Sequence, residues 1–251
     1  MATIAIGDVH GNLPALQDLV GQLRTEIDAD DAVVFLGDYI DRGLESKKCV
    51  DAILTLRAER SADVICLCGN HEDWFLGTLR DPTAHAWLLG MDGFATIRSY
   101  SEHAEQVLRR AAAAAGKQLY EGNVALPYDV FFDAIPPAHR RFFEGLVRHH
   151  WDEHGIYVHA GLDSRRLLSD QTREAVTLGW DDDGFPDAYS GDQLVLYGHR
   201  NNAIVDARGW PAPRRIGRTI GLDTSRHGVL TAMRLPDQRV FQSRRVEPPA
   251  E

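Results

Sequence analysis

Five short stretches of the chain carry residue types that hold cations and move protons: GDVHG (Gly7–Gly11), GDYIDRG (Gly37–Gly43), GNHE (Gly69–Glu72), VHAG (Val158–Gly161) and YGH (Tyr197–His199). Together they offer Asp8, His10, Asp38, Asn70, His159 and His199, a set of oxygen and imidazole donors without a thiolate. That mixture suits Mn²⁺, Fe or Zn²⁺ rather than a structural zinc site. So many neutralising acids and histidines exceed what one ion needs. Two ions sharing a carboxylate is the economical arrangement, and such a pair clamps the attacking and leaving oxygens of a phosphoryl transfer. Other phosphate devices are missing: Gly7-x-x-x-Gly11 is not the dinucleotide fingerprint, and no phosphate loop with Gly-Lys-Ser/Thr occurs.

Apolar runs precede these stretches. Thr3–Ile6, Ala32–Leu36 and Val64–Cys68 read as strands. Between them, Leu13, Leu16, Leu19, Val20, Leu23 and Ile27 recur at helical spacing, with Asn12 placed to cap and Pro14 in the first turn. Glu45–Arg60 supplies a second helix. A β-α-β-α-β order predicts parallel neighbours with right-handed crossovers. The carboxyl ends of such strands face one crevice, so polar residues far apart in sequence can meet there. Residues 74–154 read as mainly helical. Ser99 with Glu102 resembles a capping box, and Pro136-Pro137 can open a helix over AHRRFFEGLVRHHW. Strands return at Ile156–His159, Leu194–Tyr197, Thr219–Leu222, Val229–Arg234 and Arg239–Gln242, before a loose tail over 244–251.

With 251 residues and 44% apolar composition, the chain can bury a sizeable core as one domain, 1–251. Its formal charge of −10, without a Lys/Arg-rich block, argues against nucleic acid and anionic membrane as partners. No apolar run is long enough to span a bilayer, and the first residues lack a secretory pattern. Cys49, Cys66 and Cys68 have no framework spacing and read as small buried thiols, which points to the cytoplasm. His85, His103, His139, His149, His150 and His154 match no motif and are expected at the surface.

The ordered motifs GDVHG, GDYIDRG and GNHE, followed by two single-histidine motifs, resemble the phosphoprotein phosphatase family of the calcineurin-like metallophosphoesterases, over Gly7–His199. GFATIRSY, IYVHAGL and GLDTSRHGVLTAMRLPD resemble bacterial members. The resemblance implies an α/β fold, an α/β/β/α sandwich of two mixed sheets flanked by helices, with a helical insertion. It implies Asp8 and His10 on one metal, Asp38 bridging, and Asn70, His159 and His199 on the other. Two divalent ions, Mn²⁺ first among them, would activate a water as nucleophile. Arg42 would grip the phosphate, His71 would protonate the leaving group, and Asp41 would orient His71.

The implied reaction is hydrolysis of phosphomonoesters: phosphoserine, phosphothreonine and phosphotyrosine in proteins, or a small phosphomonoester. A dinucleoside tetraphosphate hydrolase is the nearest alternative. Those enzymes resemble GDVHG but typically lack the acid before the motif arginine and carry Asp after Asn-His; Asp41 and Glu72 therefore favour the phosphatase branch. A non-catalytic scaffold is the rival from another class, and the complete ligand set speaks against it. The family's second phosphate arginine, expected after Trp180, is replaced by Asp181, Asp182 and Asp183, read as an exposed loop. Arg200, Arg165, Arg166 and Arg173 remain as substitutes. The short segment before His227 implies an open pocket that Ser225 and His227 can border. Oligomeric state is left open.

Overall fold

The computed structural model describes all residues except 61, 62, 123, 181, 201, 202 and 247–251. Chain order begins β1 (Thr3–Ile6), α1 (Leu13–Leu23), β2 (Ala32–Phe35), α2 (Ser46–Glu59), β3 (Val64–Cys66) and α3 (Asn70–Arg80). The insertion holds α4 (Ala86–Gly90), α5 (Gly93–Tyr100), α6 (Glu102–Ala115), α7 (Asp129–Phe132) and α8 (Pro137–Glu144). The remainder contains β4 (His149–Trp151), β5 (Ile156–Val158), β6 (Val195–Tyr197), β7 (Ile204–Val205), β8 (Pro211–Ala212), β9 (Arg214–Ile216), β10 (Thr219–Gly221), β11 (Thr231–Leu235) and β12 (Arg239–Gln242).

Two five-stranded mixed sheets result, ordered β12-β11-β1-β2-β3 and β4-β5-β6-β10-β9. As expected, β1, β2 and β3 run parallel, with Ile4 opposite Val33 and Val33 opposite Val64. Alternation along each strand separates two cores. Ile4, Ile6, Val33 and Phe35 pack under the helices. Ala5, Val34 and Leu36 face Tyr157, Leu196 and Ile220 of the second sheet. Each fully buried Val, Ile or Phe side chain contributes about 1.5–3 kcal/mol, so a shift of one residue in register would exchange the two faces and forfeit both cores.

Several expectations are corrected. Asn12 does cap α1, accepting from Ala15 N at 3.2 Å, but the helix ends at Leu23, before Ile27. The cap of α6 is Ser101, not Ser99; extended backbone at Ser101 lets its Oγ accept from Ala104 N, while Ser99 lies within α5. The helix opened by Pro137 stops at Glu144, because Gly145 leaves the helix and His149–Trp151 pairs antiparallel with β5. His85 and His139 are buried rather than exposed, since both ring nitrogens of each are partnered: Tyr128 and Val124 for His85, Tyr100 and Asp51 for His139. The three cysteines are buried and unbridged, and burial pushes the Cys66 thiol up to about 12. The described start of the tail is docked, with Arg244 N donating to Asp18 and Val246 N to Gly228 O; residues 247–251 lie outside the description. Among the described residues, no helix is long and apolar enough to cross a membrane.

Candidate active site

The predicted residues follow β1, β2, β3, β5 and β6, and the two sheets bring these strand ends together. The turns are tight enough that His10, Asp38, Asp41, Arg42 and His199 adopt positive φ, 46°, 54°, 68°, 63° and 65°. Side chains rarely tolerate this, at about 1–3 kcal/mol each. The loops are held there by hydrogen bonds: Val9 N and His10 N donate to Asp38 O. Buried Glu72 accepts from Asp38 N (2.9 Å), Tyr39 N (2.8 Å), Ile40 N (3.2 Å) and Gly69 N (3.2 Å). Glu72 thus ties the second motif to the third. Glycine is needed at two contacts: a Cβ at Gly69 would lie 2.1 Å from Asp38 Oδ1, and one at Gly198 2.1 Å from Asp8 Oδ1.

Asp38 sits at the centre. Its Oδ2 is 3.4 Å from His10 Nε2, and its Oδ1 is 3.4 Å from His159 Nε2. His10 Nε2 is 3.7 Å from Asp8 Oδ2. Asn70 Oδ1 lies 3.0 Å from His159 Nε2 and 2.8 Å from His199 Nδ1. Backbone carbonyls set the imidazole orientation: His10 Nδ1 faces Ile40 O and His159 Nδ1 faces Leu36 O, which leaves each Nε2 as the lone-pair nitrogen. Burial holds both histidines below their ordinary value, and burial with neighbouring His159 takes His199 down to about 3. These are neutral imidazoles, the form that binds a metal.

This donor set fits cations. His10 Nε2 and Asp38 Oδ2 are buried without a hydrogen-bond partner. Asp8 is pushed well above the carboxylate range by burial and by the neighbouring Asp223 and Asp38 charges, the strain expected where acids crowd without counter-charge. Donor atoms of Asp38, His159 and His199 form one group within 4.8 Å, and those of His10, Asp38 and His71 another, with Asp38 common to both.

His71 belongs to that second group by distance but differs in chemistry. Its Nδ1 is 2.7 Å from Asp41 Oδ2, and its Nε2 is 3.4 Å from Arg42 Nη2. Burial disfavours the imidazolium, yet the Asp38 and Asp41 carboxylates outweigh it and raise His71 to about 9. A ring charged in this way carries hydrogens on both nitrogens, unlike the neutral histidines of the ligand cluster. The insertion braces this pair. Trp87 Nε1 donates to Asp41 Oδ2 (2.9 Å), Thr96 Oγ1 donates to Asp41 Oδ1 (2.6 Å), and Asp41 N donates to Thr96 Oγ1 (2.9 Å). Trp87 and Thr96 escaped the sequence reading because neither belongs to a ligand motif. GFATIRSY contains Thr96 but carries no sign of its contact.

Arg42 presents a buried Nη1 without a partner. The candidate second arginines are all engaged: Arg165 and Arg166 with Asp163, Arg173 with Asp73, and Arg200 with Asp182 (2.8 Å) and the carbonyls of Gly179 and Phe185. The acidic triplet is therefore not simply solvated, because Asp182 is half-buried against Arg200; Asp181 lies outside the description. A cleft of about 1180 Å³ opens over the site, and Arg42, Asn70, His71, His199, Arg200 and Arg226 line it. Ser225 also borders the cleft, whereas His227 is not among its lining residues.

The chain belongs to the calcineurin-like phosphoesterase family, whose model matches residues 1–228. That superfamily uses a dinuclear divalent centre, and the His and Asp donor groups described above are candidate ligands for one. Among curated relatives it is similar to the asymmetrical bis(5'-nucleosyl)-tetraphosphatase PrpE of Anoxybacillus flavithermus, 26% identical over 92% of this chain and 89% of that one. A second PrpE, of Geobacillus thermodenitrificans, is 27% identical over 92% of this chain and 89% of that one. Three other curated matches are local, and the chain covers 30%, 25% and 7% of those proteins. Among solved structures it shares its fold with a candidate diadenosine tetraphosphatase (TM-score 0.63, 19% identity, 96% of this chain and 92% of that one). It also shares it with a cold-active protein-tyrosine phosphatase of a Shewanella species (TM-score 0.55, 16% identity, 96% and 77%).

Proposed function

We propose that the protein hydrolyses phosphomonoesters, including phosphoserine, phosphothreonine and phosphotyrosine. In this reading Asp8 and His10 would hold one divalent cation, Asn70, His159 and His199 would hold the second, and Asp38 would serve both. When bound, the cations draw charge from the phosphoryl oxygens and make a water more acidic. Arg42 takes the phosphate oxygens with its unpartnered Nη1. His71 gives the proton at Nε2 to the leaving oxygen, and Asp41 keeps that ring charged and aimed. The observation that carries this reading is the buried Asp41–His71 pair at 2.7 Å, directed at Arg42 and the ligand cluster.

Arg42→Ala should retain metal and lose about 10²–10³-fold in kcat, the loss typical of removing one donor from a transition-state oxyanion. Metal analysis beside steady-state kinetics checks this. A loss within about tenfold, or 1.4 kcal/mol, means that another arginine shares the phosphate, with Arg200 first in line.

A second reading, dinucleoside tetraphosphate hydrolysis, gains from two observations. Arg200 and Arg226 join Arg42 around the cleft, and the likeness to PrpE runs nearly end to end. A side-by-side assay with Mn²⁺ at one pH separates the two readings. Phosphotyrosine and aryl phosphates should equal or exceed phosphoserine peptides in kcat/KM, and both should exceed diadenosine tetraphosphate. A dinucleotide preference above tenfold replaces the first reading with the second and leaves the cation positions untouched.

A further inference from the structure

Asp223 lies outside the ligand motifs, yet it is fully buried at the site. It directly follows Leu222, whose N donates to Tyr197 O and whose carbonyl lies 2.5 Å from where a Cβ of Gly7 would stand. Asp8 and Asp223 therefore follow strand ends that meet across the two sheets, β1 in one and β10 in the other. One oxygen is occupied: Asp223 Oδ1 accepts from Ser225 N (3.0 Å) and Ser225 Oγ (2.7 Å). The other, Oδ2, is buried without any partner, as are Asp38 Oδ2 and His10 Nε2. Capping the Ser225 turn explains only Oδ1. An unsatisfied buried oxygen costs about 1–3 kcal/mol, more when charged, and an asparagine or serine could cap the turn without a charge. The field of Asp223 reaches Asp8 and His159, and Asp223 itself feels Arg42 and Asp38. Asp223 thus lies close enough to the ligand residues for their charges to act on one another, with its buried Oδ2 left over.

We propose that Asp223 is a third metal-holding carboxylate, serving through Oδ2 the cation position of Asp8 and His10. This rests on the cation positions proposed above. A third buried acid brings the charge of the site closer to that of two divalent ions and adds a hard oxygen donor, which suits Mn²⁺.

The test needs no turnover. Full-length protein stripped with a chelator is titrated with Mn²⁺ alone, free Mn²⁺ is read by electron paramagnetic resonance, and each metal-free form is melted. Asp223→Asn keeps an acceptor for Ser225; Asp223→Ser, which can still cap the turn, stands in if the first variant does not fold. The expected result is one Mn²⁺ bound at least tenfold more weakly, with the metal-free melting temperature equal to or above wild type because an uncompensated buried charge has gone. Two Mn²⁺ bound within tenfold of wild-type affinity overturns the proposal. So does a metal-free variant that melts lower, since the role is then structural. Asp8→Asn is the control. If it loses Mn²⁺ while Asp223→Asn does not, only Asp223 is misassigned; if neither loses Mn²⁺, the cation positions themselves are wrong.

Discussion

Asp38→Ala is expected to give a folded protein that no longer holds two cations and has lost at least about 10³-fold in kcat/KM, roughly 4 kcal/mol of barrier. Both oxygens of Asp38 face imidazoles, His10 on one side and His159 on the other. It is the residue common to both donor groups, so its removal separates them and leaves two cations poorly neutralised. Folding should survive, because Asp38 is a buried charge whose Oδ2 has no hydrogen-bond partner. The backbone of its loop is held by Glu72, which the substitution leaves in place. Metal analysis, circular dichroism and an ester assay on one preparation decide the matter. Two ions per chain with near-wild-type turnover would refute the bridge.

His71→Asn is expected to keep both cations and lower kcat by about 10²–10⁴-fold for an alkyl phosphate, the usual range for a lost general acid. For p-nitrophenyl phosphate the loss should be much smaller, because nitrophenolate leaves without a proton. The contrast separates proton donation from metal binding, which matters because His71 stands within 4.8 Å of His10 and Asp38 donor atoms. If the variant loses metal, or if both esters suffer equally, His71 is not the proton donor. Asparagine retains a polar group near Asp41, so the Trp87 and Thr96 contacts to Asp41 need not rearrange.

Sequence showed the site better than its surroundings. Asp8, His10, Asp38, Asn70 and His159 follow their strands within a few residues, so the motif and the geometry are the same local fact. Asp41 meets His71 because Glu72 ties the loop of Asp41 to the start of α3, which carries His71. Trp87 lies outside every stretch that resembles the family, and Thr96 and Asp223 lie in stretches that resemble it but give no sign of a site role; only the packed structure shows what they touch. His85 and His139 were misplaced because a polar side chain in a helical stretch looks solvated until its partners are known. The His149–Trp151 strand was missed because it lies half-exposed at a sheet edge, where alternation of apolar residues is weak.

The first sheet is not built from one continuous part of the chain, whereas β4, β5, β6, β9 and β10 all fall within residues 149–221. β1, β2 and β3 wait for β11 and β12, which pair alongside β1 from near the far end of the sequence. During synthesis, Asp8, His10, Asp38 and Asn70 leave the ribosome long before His159 and His199. The early strands must remain with an open edge at β1 until Thr231–Leu235 arrives to cover it, and an open edge is a template for pairing with other chains. The order of translation thus sets the order of assembly: on the proposed assignment a cation pair can be captured only after residue 199 has been made, and the edge is sealed later still. On the proposed assignment, a ribosome-stalled series should show the cation of Asn70, His159 and His199 bound only after His199 has cleared the exit tunnel.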